Sequence, residues 1–291
     1  MITAQRRWPR AVEFAAMLLL ATACMPAAAF AGALDRIRRD NDIRIAYRAD
    51  APPFSYKNSK DEPAGFMVDL CQAVVKRLAQ QLNQPSLNIR YVTVTAVDRF
   101  EAIQQNKADL LCEPTSSTLS RRKLVDFSVT TFVDGASLLI TTDGPRNLQE
   151  LTGRTIGVLA GTTTEQKLTK SLSNASITAT VIPAKTHAEG LAMLDDGTTS
   201  AYFADRSILL ALLANSKAPQ NLRLSDVYLT VETYALALPH GDDDFRLEVD
   251  RALSHIYGSG EITTILEHTF GKNSGTGTML PMVYLLSGLP D

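Results

Sequence analysis

The sequence predicts an α/β protein in which mostly parallel sheets are covered by helices. Short apolar segments typical of strands alternate along the chain with segments whose apolar residues recur at helical spacing. The 291 residues are 45% hydrophobic and 21% charged, which is the composition of a globular protein and not of a disordered or fibrous one. The net charge of −2 argues against a general nucleic-acid binder, which carries a basic excess.

The first 31 residues have the pattern of a secretory signal peptide. Three arginines between residues 6 and 10 precede a short apolar segment at 11–23, and Ala29-Phe30-Ala31 supplies the small-residue cleavage pattern. We therefore expect cleavage after Ala31 and export of the chain. Lipid attachment at Cys24 is a weaker alternative, because Ala21 stands where a lipoprotein signal usually has Leu. The apolar segment is too short for a membrane span.

The alternation after residue 31 predicts the following elements in chain order. Strands are expected at 43–47, 87–94, 108–112, 155–159, 178–182, 200–204 and 231–238. Helices are expected at 68–82, 97–103, 163–171, 187–194, 205–214, 243–257 and 261–269. Strands separated by helices form parallel sheets, which bind ligands at the carboxyl ends of their strands. The apolar segment 279–289 is expected to pack against the rest of the chain.

Two cysteines, Cys71 and Cys112, follow the predicted cleavage site. Cysteines of exported proteins pair readily, because the compartment is oxidising. Cys71 lies on the first long predicted helix, and Cys112 ends a strand expected to run beneath it. A disulfide is therefore predicted, with two buried thiols as the alternative.

Motifs for catalysis or metal binding are missing from the sequence. It has no phosphate-binding loop, dinucleotide fingerprint, zinc-protease motif or nucleophile elbow. The four histidines show no metal-ligand spacing with cysteines or carboxylates. We therefore expect neither a cofactor nor a metal.

Three ordered segments carry a family resemblance. The first is RADAPPFSY at 48–56, the second is ADLLCEPTSSTLSRRKLVDFS at 108–128, and the third is IGVLAGTTTE at 156–165 followed by AYFAD at 201–205. In this order and spacing they resemble the bacterial extracellular solute-binding proteins of family 3. These are periplasmic amino-acid receptors of ABC importers, so the resemblance implies a small-molecule amino-acid ligand, an ABC transporter permease as partner, a periplasmic location and a monomer.

The resemblance also implies a two-lobed periplasmic-binding-protein fold of type II. Each lobe is then a mostly parallel sheet flanked by helices, and the lobes are joined by two hinge strands near 131–135 and 232–234. Lobe 1 would cover 32–131 and 235–291, and lobe 2 would cover 132–234. The ligand would bind in the cleft, and the lobes would close on it.

Six matched residues would hold the backbone of the amino acid. A guanidinium group fits a carboxylate with two parallel hydrogen bonds, so the resemblance assigns the ligand carboxylate to Arg121 and the ligand ammonium to Asp205. The supporting residues would be Pro114, Ser116, Thr162 and Thr163, the last two at a helix start that favours anions. A solvated basic surface around Arg121 and simple helix caps at the other positions are the alternatives.

Two further residues indicate an acidic ligand side chain. Arg48 and His187 match the glutamate- and aspartate-binding members of the family. Protonated His187 would make the affinity for such ligands weaken as pH rises from about 6 to 8. Ser137 departs from these members, which resemble one another in carrying a further arginine at this position.

Two other functions compete with transport. Cyclohexadienyl dehydratases resemble these receptors, and an enzyme of that kind would need a general acid or base, for which His187 and Glu165 are the candidates. A stand-alone amino-acid sensor is the second alternative.

Overall fold

Two five-stranded sheets, each flanked by helices, form the two lobes of the molecule. The computed structural model describes residues 32–147, 149–226, 228–272 and 279–290. The predicted signal peptide and Cys24 lie outside the described residues. Among the described residues, no helix is both long enough and apolar enough to cross a membrane.

The elements follow the predicted alternation. The strands are β1 (Asp42–Arg48), β2 (Asp50–Ala51), β3 (Ser55–Lys57), β4 (Pro63–Ala64), β5 (Asn88–Val94), β6 (Leu110–Leu111), β7 (Asp126–Asp134), β8 (Ala136–Thr141), β9 (Thr155–Leu159), β10 (Thr180–Ala184), β11 (Ala201–Asp205), β12 (Leu222–Leu224) and β13 (Glu232–Leu238). The helices are α1 (Ala33–Asp40), α2 (Phe66–Gln81), α3 (Arg99–Gln104), α4 (Thr163–Asn174), α5 (His187–Asp195), α6 (Arg206–Asn215), α7 (Asp243–Gly258), α8 (Glu261–Phe270) and α9 (Met279–Ser287).

The first sheet has the strand order β5-β1-β6-β13-β7. Strand β1 is parallel to both β5 and β6, as the helices between these strands require. Strand β13 is antiparallel to β6 and β7, so the sheet is mixed rather than uniformly parallel. The small sheet β2-β3-β4 lies in the loop after β1 and is antiparallel.

The second sheet has the order β10-β9-β11-β8-β12 and repeats this arrangement. Strand β9 is parallel to β10 and β11, whereas β8 is antiparallel to β11 and β12. Both sheets therefore present the carboxyl ends of a parallel trio of strands, where loops can hold a ligand.

The chain passes between the two sheets through neighbouring segments. Strand β7 ends at Asp134 and continues through Gly135 into β8, while β13 begins at Glu232, which is paired with Asp134. A Cβ atom at Gly135 would lie 2.2 Å from the carbonyl oxygen of Thr230. The absence of a side chain at Gly135 thus lets the two segments run side by side. The lobe boundaries at 131 and 235 stay a prediction.

An aromatic cluster fixes the hinge strands to lobe 1. Phe132 of β7 and Tyr234 of β13 stack with ring centroids 6.1 Å apart, and Phe54 meets the ring of Phe132 edge-on at 4.9 Å. All three side chains are almost fully buried. Burial of each aromatic ring stabilises the fold by about 1.5–3 kcal/mol.

The apolar C-terminal segment packs against the body of the protein, as expected. It forms helix α9, whose Tyr284 packs against Tyr257 of α7 at a centroid distance of 4.9 Å. The hydroxyl of Tyr284 donates a hydrogen bond to the carbonyl oxygen of Thr131, 3.2 Å away. The last helix therefore supports β7 just before the chain leaves lobe 1.

The predicted disulfide is present between Cys71 of α2 and Cys112, which directly follows β6. Both residues are fully buried in the core between the helix and the sheet. The bond closes a loop with a sequence separation of 41 residues.

We expect the double variant Cys71→Ala/Cys112→Ala to lose about 2–4 kcal/mol of unfolding free energy, because the unfolded chain regains the freedom of the closed loop. Urea unfolding of the oxidised wild type and of the variant measures this difference. Peptide mapping without reductant should recover the two cysteines in one linked peptide pair. Two free thiols in protein from an oxidising compartment would contradict the assignment.

Candidate functional site

A cavity lies between the carboxyl ends of the two sheets, and the eight residues predicted to bind the ligand all line it. They are Arg48, Pro114, Ser116, Arg121, Thr162, Thr163, His187 and Asp205. Sequence analysis did not identify the other lining residues, which are Arg99, Leu159, Thr164, Phe203, Ala204 and Ile208. The cavity has a volume of about 20 Å³, room for about one water molecule, so an amino acid enters only when the lobes move apart.

The strand ends explain why residues distant in sequence meet here. Arg48 is the last residue of β1 and Asp205 the last residue of β11. Ser116 follows β6, Thr163 follows β9 and His187 follows β10. Because parallel strands end on the same side of their sheet, each lobe brings its residues to one edge.

Direct contacts hold the two lobes together around the cavity. The hydroxyl oxygens of Ser116 and Thr163 lie 3.2 Å apart across the cleft. The backbone N–H of His187 donates to Asp50 in the small sheet, with a distance of 3.2 Å. At a third point, Arg99 Nη2 donates to the carbonyl oxygen of Gly161 at 3.4 Å. The structure therefore represents a closed arrangement of the lobes.

Arg121 is a buried cation and not part of a solvated basic surface. It begins a short 3-10 helix, and its side chain is almost buried, whereas Arg122 and Lys123 beside it are exposed. Its Nη1 donates to the carbonyl oxygen of Ser116 at 2.9 Å, and its guanidinium group stands over the ring of Phe100 at 5.2 Å. Burial lowers the pKa of Arg121, but the nearby carboxylates oppose this effect.

Glu232 joins the two lobes at the hydroxyl groups of the site. Its Oε2 accepts hydrogen bonds from Ser116 and from Thr163, the latter at 2.7 Å. Ser116 belongs to the lobe of the first sheet, and Thr163 begins α4 in the lobe of the second sheet. The Glu232 carboxylate therefore bridges the cleft at the start of β13. Sequence analysis missed Glu232, because a glutamate at the start of a strand shows no pattern of its own.

Thr162 caps helix α4. Its hydroxyl accepts from the backbone N–H of Glu165 at 3.1 Å, and the Glu165 carboxylate accepts from the N–H of Gly161 at 2.9 Å. The arrangement is a variant of the capping box in which the glutamate accepts from the residue before the N-cap, and it satisfies two backbone donors at the helix start. Glu165, a candidate general base in the sequence, is occupied in this cap.

Asp205 accepts hydrogen bonds, but its burial and its charged neighbours together disfavour its negative charge. The hydroxyl of Tyr234 donates to its Oδ2 at 2.6 Å, and Thr164 lies 3.5 Å from its Oδ1. Burial, together with the negative charges of Asp134 and Glu232, raises the pKa of Asp205 to about 7. A cation placed beside Asp205 would relieve this repulsion, which is the behaviour expected of an ammonium site.

Two further arginines, Arg48 and Arg99, line the cavity. Arg48 and Arg99 are 3% and 2% exposed, and burial lowers the pKa of Arg99 to about 10. Arg48 Nε donates to Asp50 Oδ1 at 2.9 Å. Arg99 starts α3 just after β5, where the sequence indicated only an ordinary amphipathic helix. Its role becomes visible only when the fold brings it beside Arg48.

The expectation of a protonated His187 is wrong at neutral pH. Burial and the charge of Arg48 lower the pKa of His187 to about 3, so the ring is neutral. Its Nδ1 lies 3.0 Å from the hydroxyl of Tyr202 in the core. The glutamate- and aspartate-binding members of the family carry an arginine at the position of Ser137. Ser137 is fully buried in β8 and does not line this cavity. The cavity does contain a second guanidinium group beside that of Arg48, which belongs to Arg99.

We expect Asp205→Asn to stabilise the protein at pH 8 more than at pH 5. A carboxyl with a raised pKa in the folded state contributes stability that is lost as pH rises from the unfolded value near 4 through about 7. The amide carries no charge, so the unfolding free energy of the variant relative to wild type should be greater at pH 8 than at pH 5 by about 2–3 kcal/mol. Urea unfolding at both pH values measures this, and parallel pH profiles would contradict it.

The sequence of this chain matches a known protein family and named relatives. Residues 43–272 match the family described as bacterial extracellular solute-binding proteins, family 3. An L-glutamate/L-aspartate-binding protein of Pseudomonas aeruginosa is 31% identical over 264 residues, which is 90% of this chain and 87% of the relative. A glutamate/aspartate import solute-binding protein of Escherichia coli is 28% identical over 243 residues, covering 83% of this chain and 80% of the relative.

A solved structure shows the same fold. The solute receptor for L-cysteine of Neisseria gonorrhoeae superposes with a TM-score of 0.74 at 22% identity, covering 85% of this chain and 98% of the receptor. The family match spans both sheets, and the two-lobed architecture agrees with it. This chain belongs to the bacterial extracellular solute-binding proteins of family 3.

Proposed function

We propose that this protein captures an acidic L-amino acid, glutamate or aspartate, between its lobes and delivers it to the permease of an ABC importer. One observation carries the proposal: three buried guanidinium groups and the Asp205 carboxylate line a single cavity. An acidic amino acid has two carboxylates and one ammonium group. The relatives named for glutamate and aspartate support the same ligand class.

Arg121 and Asp205 would recognise the part common to all α-amino acids. Arg121 would take the α-carboxylate in a bidentate pair. The hydroxyls of Ser116 and Thr163 would add hydrogen bonds by turning their protons from Glu232 to the ligand. The start of α4 would contribute unpaired backbone N–H groups. Asp205 would take the ammonium group, assisted by the negative charge of Glu232 and the backbone carbonyl of Pro114.

Arg48 and Arg99 would recognise the side chain. Both line the cavity and both are desolvated, which strengthens their attraction for an anion. His187 would contribute a neutral hydrogen-bonding ring from the opposite lobe. Thr162 would mainly hold the helix start in place through its cap.

Ligand capture would be coupled to lobe closure. The proposed contacts come from both lobes. The ligand would therefore bind a closed state, with the lobes slightly further apart than in this structure, more tightly than the open one and shift the population toward it. The permease would then recognise the closed form. We propose that the chain acts as a periplasmic monomer, with lobe 2 extending from 132 to 234 and lobe 1 formed by 32–131 and 235–291.

A panel of amino acids tests the proposal by thermal shift and by calorimetry. We expect glutamate or aspartate to stabilise the wild type most, by about 2.7 kcal/mol at 100 times its dissociation constant. Arg121→Ala should abolish binding without unfolding the protein, since loss of one partner of a desolvated charge pair costs about 2–5 kcal/mol.

Arg122→Ala is the matched control, because it removes the same charge one residue away at an exposed position. This variant should bind as the wild type does. An Arg121→Ala protein that binds within about threefold of wild type would refute the site, and a panel led by a basic or apolar amino acid would refute the ligand class.

Gly161 offers a second test, which concerns closure. Its φ angle is +75°, and a Cβ atom there would lie 3.0 Å from the carbonyl oxygen of Ala96 in the facing lobe. Gly161→Ala should therefore hinder closure and weaken glutamate binding by roughly tenfold or more. Gly197→Ala is the control, because its φ is similar at +77° and its Cβ would meet no atom within 4 Å. Equal affinities of the two variants would contradict this role of Gly161.

A further inference from the structure

Glu113 is a buried carboxylate beside Arg48 and Arg99, two arginines that line the cavity, but it does not line the cavity itself. It follows Cys112 after β6 and is 0% exposed. Its Oε1 lies 3.3 Å from Nε of Arg99, and its Oε2 lies 3.7 Å from Nη1 of Arg48. Neither of its oxygens accepts a hydrogen bond from any residue that the structure describes. Glu113 therefore lies near both Arg48 and Arg99, yet its two oxygens keep their capacity to accept a proton or a hydrogen bond.

The charges around Arg48 and Arg99 already balance. Arg48 pairs with Asp50, whose Oδ1 lies 2.8 Å from its Nη2, and also faces Glu113. Arg121 also acts on Glu113, but in the proposed function its charge is taken by the α-carboxylate of the ligand. Two guanidinium groups, those of Arg48 and Arg99, thus meet two carboxylates. An acidic side chain that binds between the arginines adds a third carboxylate, and one buried negative charge is then in excess.

Excess buried charge is costly, and the simplest relief is a proton. Among the groups beside these arginines, Glu113 is the one placed to accept it. Burial raises the pKa of Glu113, although Arg99, Arg48 and Arg121 oppose the shift. Asp50 is more exposed and hydrogen-bonded to Arg48, and His187 across the cleft is held neutral by burial.

Building on the proposed function, we infer that Glu113 couples capture of an acidic side chain to uptake of one proton. The proton comes from solvent and adds to the Glu113 carboxylate, and no other bond is made or broken. The neutral carboxyl then no longer competes for Arg48 and Arg99, whose positive charges are left to pair with the ligand carboxylate. A neutral amide side chain adds no third carboxylate and binds without this proton.

A purely structural role for Glu113 makes a different prediction. As a fixed counter-ion for the arginines, Glu113 would affect stability and the affinity for every ligand, with no difference in pH dependence between ligands. The discriminating quantity is therefore the ratio of the dissociation constants of glutamine and glutamate. Asp205 also titrates, but it faces the ammonium group that both ligands share, so its contribution cancels in this ratio.

We expect the glutamine-to-glutamate ratio of dissociation constants to rise at least about fivefold as pH falls from about 8 to about 5.5, with a limit of tenfold per pH unit for one proton. Calorimetry on the mature protein measures both ligands. Glutamate binding in two buffers of different ionisation enthalpy should also show uptake of close to one proton where the slope is steepest.

Two variants locate the proton. Glu113→Gln keeps the shape of the side chain and should abolish both the pH dependence of the ratio and the additional proton uptake. Glu113→Gly serves the same purpose if the amide variant does not fold, as judged by its circular dichroism. His187→Gln should retain the slope, whatever its effect on affinity, because the ring of His187 is already neutral.

The outcomes separate the two proposals. A flat ratio in the wild type, or the same slope in Glu113→Gln, refutes the role of Glu113 and leaves an acidic-ligand receptor standing. If the slope is lost in His187→Gln but kept in Glu113→Gln, the proton binds to the histidine, and the role of Glu113 is refuted. Absence of glutamate and aspartate binding at every pH refutes the proposed function and this inference together.

Discussion

The burial of three arginines in one cleft is the constraint on which the site depends. A guanidinium group removed from water is stable only where carboxylates or oriented dipoles compensate its charge. Arg48 meets Asp50 and Glu113, Arg99 meets Glu113, and Arg121 donates to a backbone carbonyl. The acidic residues of the cleft are therefore as much a part of the site as the arginines, and they determine how much positive charge remains for a ligand.

The sequence could predict residues whose position follows from local structure. Arg48, Thr163 and Asp205 lie at strand ends or helix starts, and the carboxyl ends of parallel strands meet by geometry alone. Arg99, Glu113 and Glu232 could not be found in this way. Arg99 resembles a solvent-facing residue of a short helix, and the fold alone reveals that it is buried against the opposite lobe.

The same distinction applies to the secondary structure. Periodicity located the strands and helices that alternate, within a few residues of the observed bounds. It missed β7 and β8, which follow each other through Gly135 without an intervening helix. It also missed helix α1, strand β12 and the two- and three-residue strands of the small sheet. Strands of two or three residues are too short to show a repeating pattern, and β7 and β8 lack the helix that separates the other strands.

The disulfide has a consequence for the ligand-binding surface. Cys112 stands between β6 and Glu113, so the covalent link to α2 anchors the segment that carries Glu113, Pro114 and Ser116 at its first residue. This segment is also held to β13 by the bond from the N–H of Ser117 to the carbonyl of Thr233. With both ends fastened, this side of the cleft is preorganised, so binding costs little conformational entropy in this segment.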